Sequence, residues 1–197
     1  AFAIEKIVSE VAGEDDYGLD MRNGHLTDLL VCLCDSDETA LAEEVLEHVL
    51  KGGGDGLNHQ DWCRSRAALG SALALKGDIQ RARALIGHLS RFDPDERAAI
   101  GRIRRALARF YLRNGAEKDA EREIAAIADA ESRRDAQGEL AAYLCAKGRV
   151  QQGLRLIEHP SLSERVSCFI QCLNAMVGAN MPINERQYDD IRLVLTR

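Results

Sequence analysis

Aromatic side chains are scarce, 5% of a 197-residue chain, and a core cannot be built around so few. The interior must come from Ala, Leu, Ile and Val, which suit closely packed helix pairs better than sheet, so almost no strand is expected. Long apolar runs are lacking too. The longest, 29–34 and 67–75, fall far short of the ~20 residues needed to cross a bilayer, so no membrane-spanning helix is expected. The opening AFAIEKIVSEV has no basic leader ahead of a long apolar stretch. Its charges at Glu5, Lys6 and Glu10 read as an amphipathic helix rather than a signal peptide. It begins on Ala rather than Met, as a trimmed piece of a larger parent would.

Catalytic signatures are missing as well. His25, His48, His59, His88 and His159 fall in different segments, and no HExxH, phosphate-cradling Gly loop or nucleophile elbow occurs. The glycines at 52–54 lack the Lys-Ser/Thr of a phosphate loop, and adjacent Glu43 and Glu44 do not face each other on a helix. The chain is expected not to be an enzyme, with no catalytic residue and no cofactor. The six cysteines lie mostly in apolar helical context, which favours buried thiols and a reducing, cytoplasmic compartment. Cys32-x-Cys34 with His25 or His48 is the best-spaced zinc candidate, but a site needs about four convergent ligands, so no metal is expected.

What the chain does have is charge asymmetry and regular helical punctuation. Residues 1–60 carry 14 acids and 3 bases, residues 61–197 carry 18 acids and 23 bases, and the total is −6. The glycines at 52–56, beside this reversal, read as a joint. In AALGSALALKGDIQRARALIGHLSRFDP, residues 67–94, Leu69 and Gly70 sit in a helical run that Gly77 ends. Ala82, Ile86 and Leu89 follow five, nine and twelve residues later, and Pro94 stands seventeen beyond the turn. The same order recurs around turns at Asp37, Gly115 and Gly148. There Ala42, Leu46 and Val49 follow Asp37, Ala120, Ile124 and Ile127 follow Gly115, and Gly153 and Ile157 follow Gly148.

This pattern resembles the tetratricopeptide repeat (TPR), whose units are helix-turn-helix pairs of 34 residues. The turns are 40, 38 and 33 residues apart, so the copies are degenerate. The resemblance covers about 24–160 and implies an all-α, right-handed superhelix of antiparallel helix pairs, about 10–11 helices in one structural domain. Residues 1–22 would add an N-terminal helix and acidic turn, 23–160 four TPR-like hairpins, and 161–197 a capping hairpin. In that last hairpin Ser161 and Glu164 have the form of a capping box, and a final helix runs from about 185 to 196.

The helix expected at about 95–113 carries Arg97, Arg102, Arg104, Arg105, Arg109 and Arg113 with no acid from 97 onward. Arg102, Arg105, Arg109 and Arg113 share one stripe, with Ile103, Leu107 and Phe110 roughly opposite. By the resemblance this helix lines a concave groove, where bases placed like Arg105 and Arg109 clamp a peptide carboxylate. The neighbouring positions Ser71, Ala67, Thr27 and Val31 lack the Asn or Lys of a complete clamp. The expectation is a noncatalytic adaptor or chaperone-like module that binds a partner protein or acidic peptide through these four arginines. Two alternatives stand beside it. The acidic N-terminal part could cover the basic groove of its own chain or of a neighbour in a homo-oligomer, or the stripe could bind RNA. Net negative charge and the lack of interleaved aromatics, apart from Phe110 and Tyr111, read against nucleic acid.

Overall fold

The computed structural model describes residues 19–51, 58–157 and 162–181. The expected helix near residues 3–11, the joint at 52–56, His159, Ser161 and the final helix near 185–196 lie outside them, as do the side chains of His25, His48 and Glu164. The described residues are all-helical, with nine helices and no strand among them. They divide into two compact units, Ala1–Phe110 and Tyr111–Arg197.

The first unit holds α1 (Leu19–Asp35), α2 (Thr39–Lys51), α3 (His59–Lys76), α4 (Ile79–Gly87) and most of α5 (Pro94–Arg113). Asn58 starts α3 by accepting the Asp61 N–H at 2.9 Å on its side-chain oxygen. Gly77 ends it at φ 90°. There the Asp78 N–H reaches back to the Leu73 carbonyl at 2.9 Å, the long bond of a Schellman turn. Asp78 then caps α4, accepting the Arg81 N–H at 3.3 Å. One Gly-Asp pair thus closes one helix and opens the next.

Within this unit α1 packs on α2 and α3, and α3 packs on both α2 and α4. Helix α1 therefore contacts both its own partner and the first helix of the next pair. Gly70 permits a close approach of α3 to α5, since a Cβ there would lie 2.6 Å from Ile103 Cδ1. Leu30, Leu69, Leu73, Ala82, Ile103 and Leu107 fill the space between helices, each 3% exposed or less.

The second unit holds the end of α5, then α6 (Glu117–Ala125), α7 (Ala130–Ala146), α8 (Val150–Arg155) and α9 (Leu162–Gly178). Asp129 caps α7 through the Ser132 N–H at 2.8 Å. Helix α7 packs on α6, α8 and α9, so it is the centre of the unit. Ala141 and Cys145 from α7, Val150 and Leu154 from α8, and Phe169, Cys172 and Met176 from α9 form its core. All six cysteines of the chain are free thiols.

Candidate binding surface

Helix α5 begins on Pro94, a residue pre-set for the first helical position. Asp93 caps it, its Oδ1 accepting the N–H groups of Asp95 and Glu96 at 2.9 and 3.0 Å. These two bonds hold the Asp93 carboxyl below the usual range, helped by His59, whose Nε2 lies 3.1 Å from the same oxygen. The pair fastens the start of α3 to the start of α5. It also raises the His59 pKa, the hydrogen bond to Asp93 being the largest cause.

A cavity of about 100 Å³ opens between these two helices. Gln60, Cys63, Arg64 and Ala67 line it from α3, and Asp95, Ala98, Ala99 and Arg102 from α5. It is smaller than the ~300–1,000 Å³ of pockets that engulf a drug-sized ligand, and suits the tip of one side chain. Its buried wall is Cys63, Ala67 and Ala99, and its exposed edge carries Gln60, the Asp95 carboxylate and the two guanidinium groups of Arg64 and Arg102. Arg102 is exposed, and Arg64 also reaches Asp28 on α1 at 3.3 Å. The remaining stripe residues stand differently. Arg105 and Arg109 are half-buried and already engaged in interactions, while Arg113 is exposed in the last turn of α5, beyond the division at Phe110.

Sequence reasoning did not single out Arg64. The signal was available: Gly77 and Gly115 are 38 residues apart, and 38 added to 64 gives 102, so the two arginines occupy the same place in successive copies. Trp62, in the first turns of α3, is half-buried and stacks with Arg66, whose guanidinium carbon lies 4.8 Å from the ring centroid. Burial lowers the Arg66 pKa, its buried Nε has no hydrogen-bond partner among the described residues, and the indole face meets the guanidinium as a cation–π contact. A second cavity, about 370 Å³, lies between α1 and α3 and includes Cys34, Ser71, Leu75 and Lys76.

Nothing in this geometry makes a reactive thiol. Cys63 is 3% exposed with its sulfur 3.8 Å from His59 Nε2. Burial, followed by the charges of Glu96, Asp93 and Asp95, pushes the thiol up to about 11, the reverse of the shift that activates a nucleophilic cysteine. The zinc spacing noted in the sequence, Cys32-x-Cys34, points its two sulfurs into unlike surroundings. Cys32 is exposed, whereas Cys34 is buried and pushed up to about 11, chiefly by burial.

No family model matches the chain, and no curated protein or solved structure matches it.

Proposed function

We propose that the chain is a TPR-like array of helical hairpins that works without catalysis, as a scaffold binding an acidic peptide or the acidic face of a partner protein. The observation that carries this reading is the pair Arg64 and Arg102, one hairpin apart, on the exposed edge of one cavity walled by Cys63, Ala67 and Ala99. Two guanidinium forks beside an apolar wall suit a carboxylate on a short side chain, because each fork can give two parallel N–H bonds while the methylenes pack against the wall. Left-handed backbone at all four turns of the repeat supports the hairpin register, with φ of 69° at Asp37, 90° at Gly77, 73° at Gly115 and 79° at Gly148. A peptide array carrying acidic and neutralised versions of each sequence tests the reading. Acidic spots should bind the wild-type chain and lose it with Arg64→Glu/Arg102→Glu; equal binding by both proteins would remove the site.

The assembly reading has an observation of its own. Acids of the first hairpin pair with bases of the second: Asp28 with Arg64 at 3.3 Å, Asp37 with Lys76 at 2.9 Å, and Glu43 with Arg81. The acidic segment is thus partly neutralised within its own unit. These partners lie on α3 and α4, so Arg102 remains outside that pairing.

A further inference from the structure

We propose that the stripe Val166, Ile170, Leu173 and Val177 on α9 is a self-association surface, and that its occupant is the same stripe of a second copy of this chain. Three of the five exposed large apolar side chains among the described residues lie there, with Val166, Ile170 and Val177 at 38, 50 and 67% exposure. Leu173, half-buried, joins them to the core of the second unit. The spacing of 4, 3 and 4 residues puts all four on one face, which is the seam spacing of paired helices.

The turn after α9 places this face within the repeat. Asn180 is left-handed at φ 52°, and the Met181 N–H reaches the Met176 carbonyl at 3.0 Å, so α9 ends as the first helix of each earlier hairpin does. Ten residues before the left-handed position stand Thr27 on α1, Ala67 on α3, Arg105 on α5, Gly138 on α7 and Ile170 on α9. Arg105 is half-buried and engaged, while Thr27, Ala67 and Gly138 are buried and face the next first helix. Thr27 Oγ1 accepts the Ser65 hydroxyl of α3 at 3.5 Å, Ala67 shares a cavity wall with Ala99 of α5, and a Cβ on Gly138 would lie 3.2 Å from Cys168 Sγ of α9. Seven and three residues before the turn, Leu30 and Cys34 on α1 and Gly70 and Ala74 on α3 are buried as well. Leu173 and Val177 hold those places on α9. Residues 182–197 follow where each earlier hairpin has its second helix, so the open face is the one a further first helix covers.

Self-pairing is favoured by charge. A two-fold pair sets a face against itself, so every charge on it meets its like. In a chain that is 29% charged, no charged residue occurs between Arg165 and Glu185. The exposed neighbours of the stripe are Ser167, Gln171 and Asn174, all neutral. The face can therefore meet its own copy without repulsion, which the arginine-bearing face of α5 cannot. The stripe uses neither Arg64 nor Arg102, so it stands or falls apart from peptide binding.

Sedimentation equilibrium of the full chain tests this over a dilution series reaching ~100 µM, enough to populate a dimer of micromolar dissociation constant. The wild type should fit a monomer–dimer equilibrium that stops at two copies. Ile170→Glu and Val177→Lys should each raise the dissociation constant at least ~100-fold, because a two-fold interface takes the unpaired charge twice. Phe92→Glu, at a 95% exposed apolar residue of the first unit, should change it by less than about twofold. Unchanged far-UV dichroism checks that each variant folds. A monomeric wild type overturns the proposal, and if Ile170→Glu then also lowers the melting temperature, the stripe is covered from within its own chain. Association beyond two copies, or a dimer indifferent to both α9 substitutions, overturns it too.

Discussion

Three helical glycines meet unlike surroundings, and that difference sets the effect of adding one methyl group. At Gly153 a Cβ would lie 2.6 Å from Cys145 Sγ and 2.7 Å from the Ala141 carbonyl oxygen. Backbone cannot yield as a side chain can, so Gly153→Ala should cost about 2–3 kcal/mol in urea unfolding despite the better helix propensity of Ala. At Gly70 the obstacle is the fully buried Ile103 side chain, with Cδ1 at 2.6 Å and Cγ1 at 2.7 Å, so Gly70→Ala should also destabilise, by about 1–3 kcal/mol. Gly87 has nothing within 4 Å, and Gly87→Ala should stabilise by about 0.5 kcal/mol. The cysteines sort by burial in the same way. Cys32 is exposed and should react first with a maleimide at neutral pH, while Cys34 and Cys63, both raised from 9.0 to about 11, should lag by at least ~10-fold. Because these two thiols ionise later when folded, they should also lower stability as pH climbs from about 9 to 11, where the unfolded chain ionises first. An alkaline unfolding series measures that loss.

At the scale of the helix, the ends were legible because one turn chemistry repeats. The N–H groups of Glu38, Asp78, Ala116 and Arg149 each bond a carbonyl five residues back, at 2.8–2.9 Å. The left-handed residue before each is Gly in three cases and Asp37 in one. Lys76 supports that exception, its Nζ reaching Asp37 Oδ1 at 2.9 Å and Thr39 Oγ1 at 3.0 Å. A left-handed non-Gly residue costs ~1–2 kcal/mol, and this exposed ion pair recovers only part of it. Asp37→Gly should therefore raise stability by about 0.5–1 kcal/mol, read as a higher melting temperature. The packing positions were legible for the same reason: counting five and twelve residues from Gly115 reaches Ala120 and Ile127, 0% and 1% exposed. Contacts between elements were not legible. His59 meets Asp93 only because Asn58 and Asp93 start two helices that Gly70 lets lie close together. No local motif announces that meeting.

For the whole molecule, the sequence divided charge between an acidic beginning and a basic remainder, and the structure refines where those charges go. Asp28, Asp37 and Glu43 are taken up by Arg64, Lys76 and Arg81 of the second hairpin. The four-arginine stripe is legible as a helix face but not as four equal contacts, because packing of α5 leaves Arg102 exposed and Arg105 and Arg109 half-buried. Periodicity locates a residue on its own helix, while its exposure depends on the helices beside it. The measurement bearing most directly on the binding role is a titration of one array-selected acidic peptide against the wild type, Arg102→Glu and Arg122→Glu. Arg122, 78% exposed in its side chain and paired only with nearby Asp119 among the described residues, matches the charge change outside the cavity. Arg102→Glu should weaken binding at least tenfold, about 1.4 kcal/mol, and Arg122→Glu by less than about twofold. Equal weakening by both, or by neither, would contradict a binding site at Arg64 and Arg102.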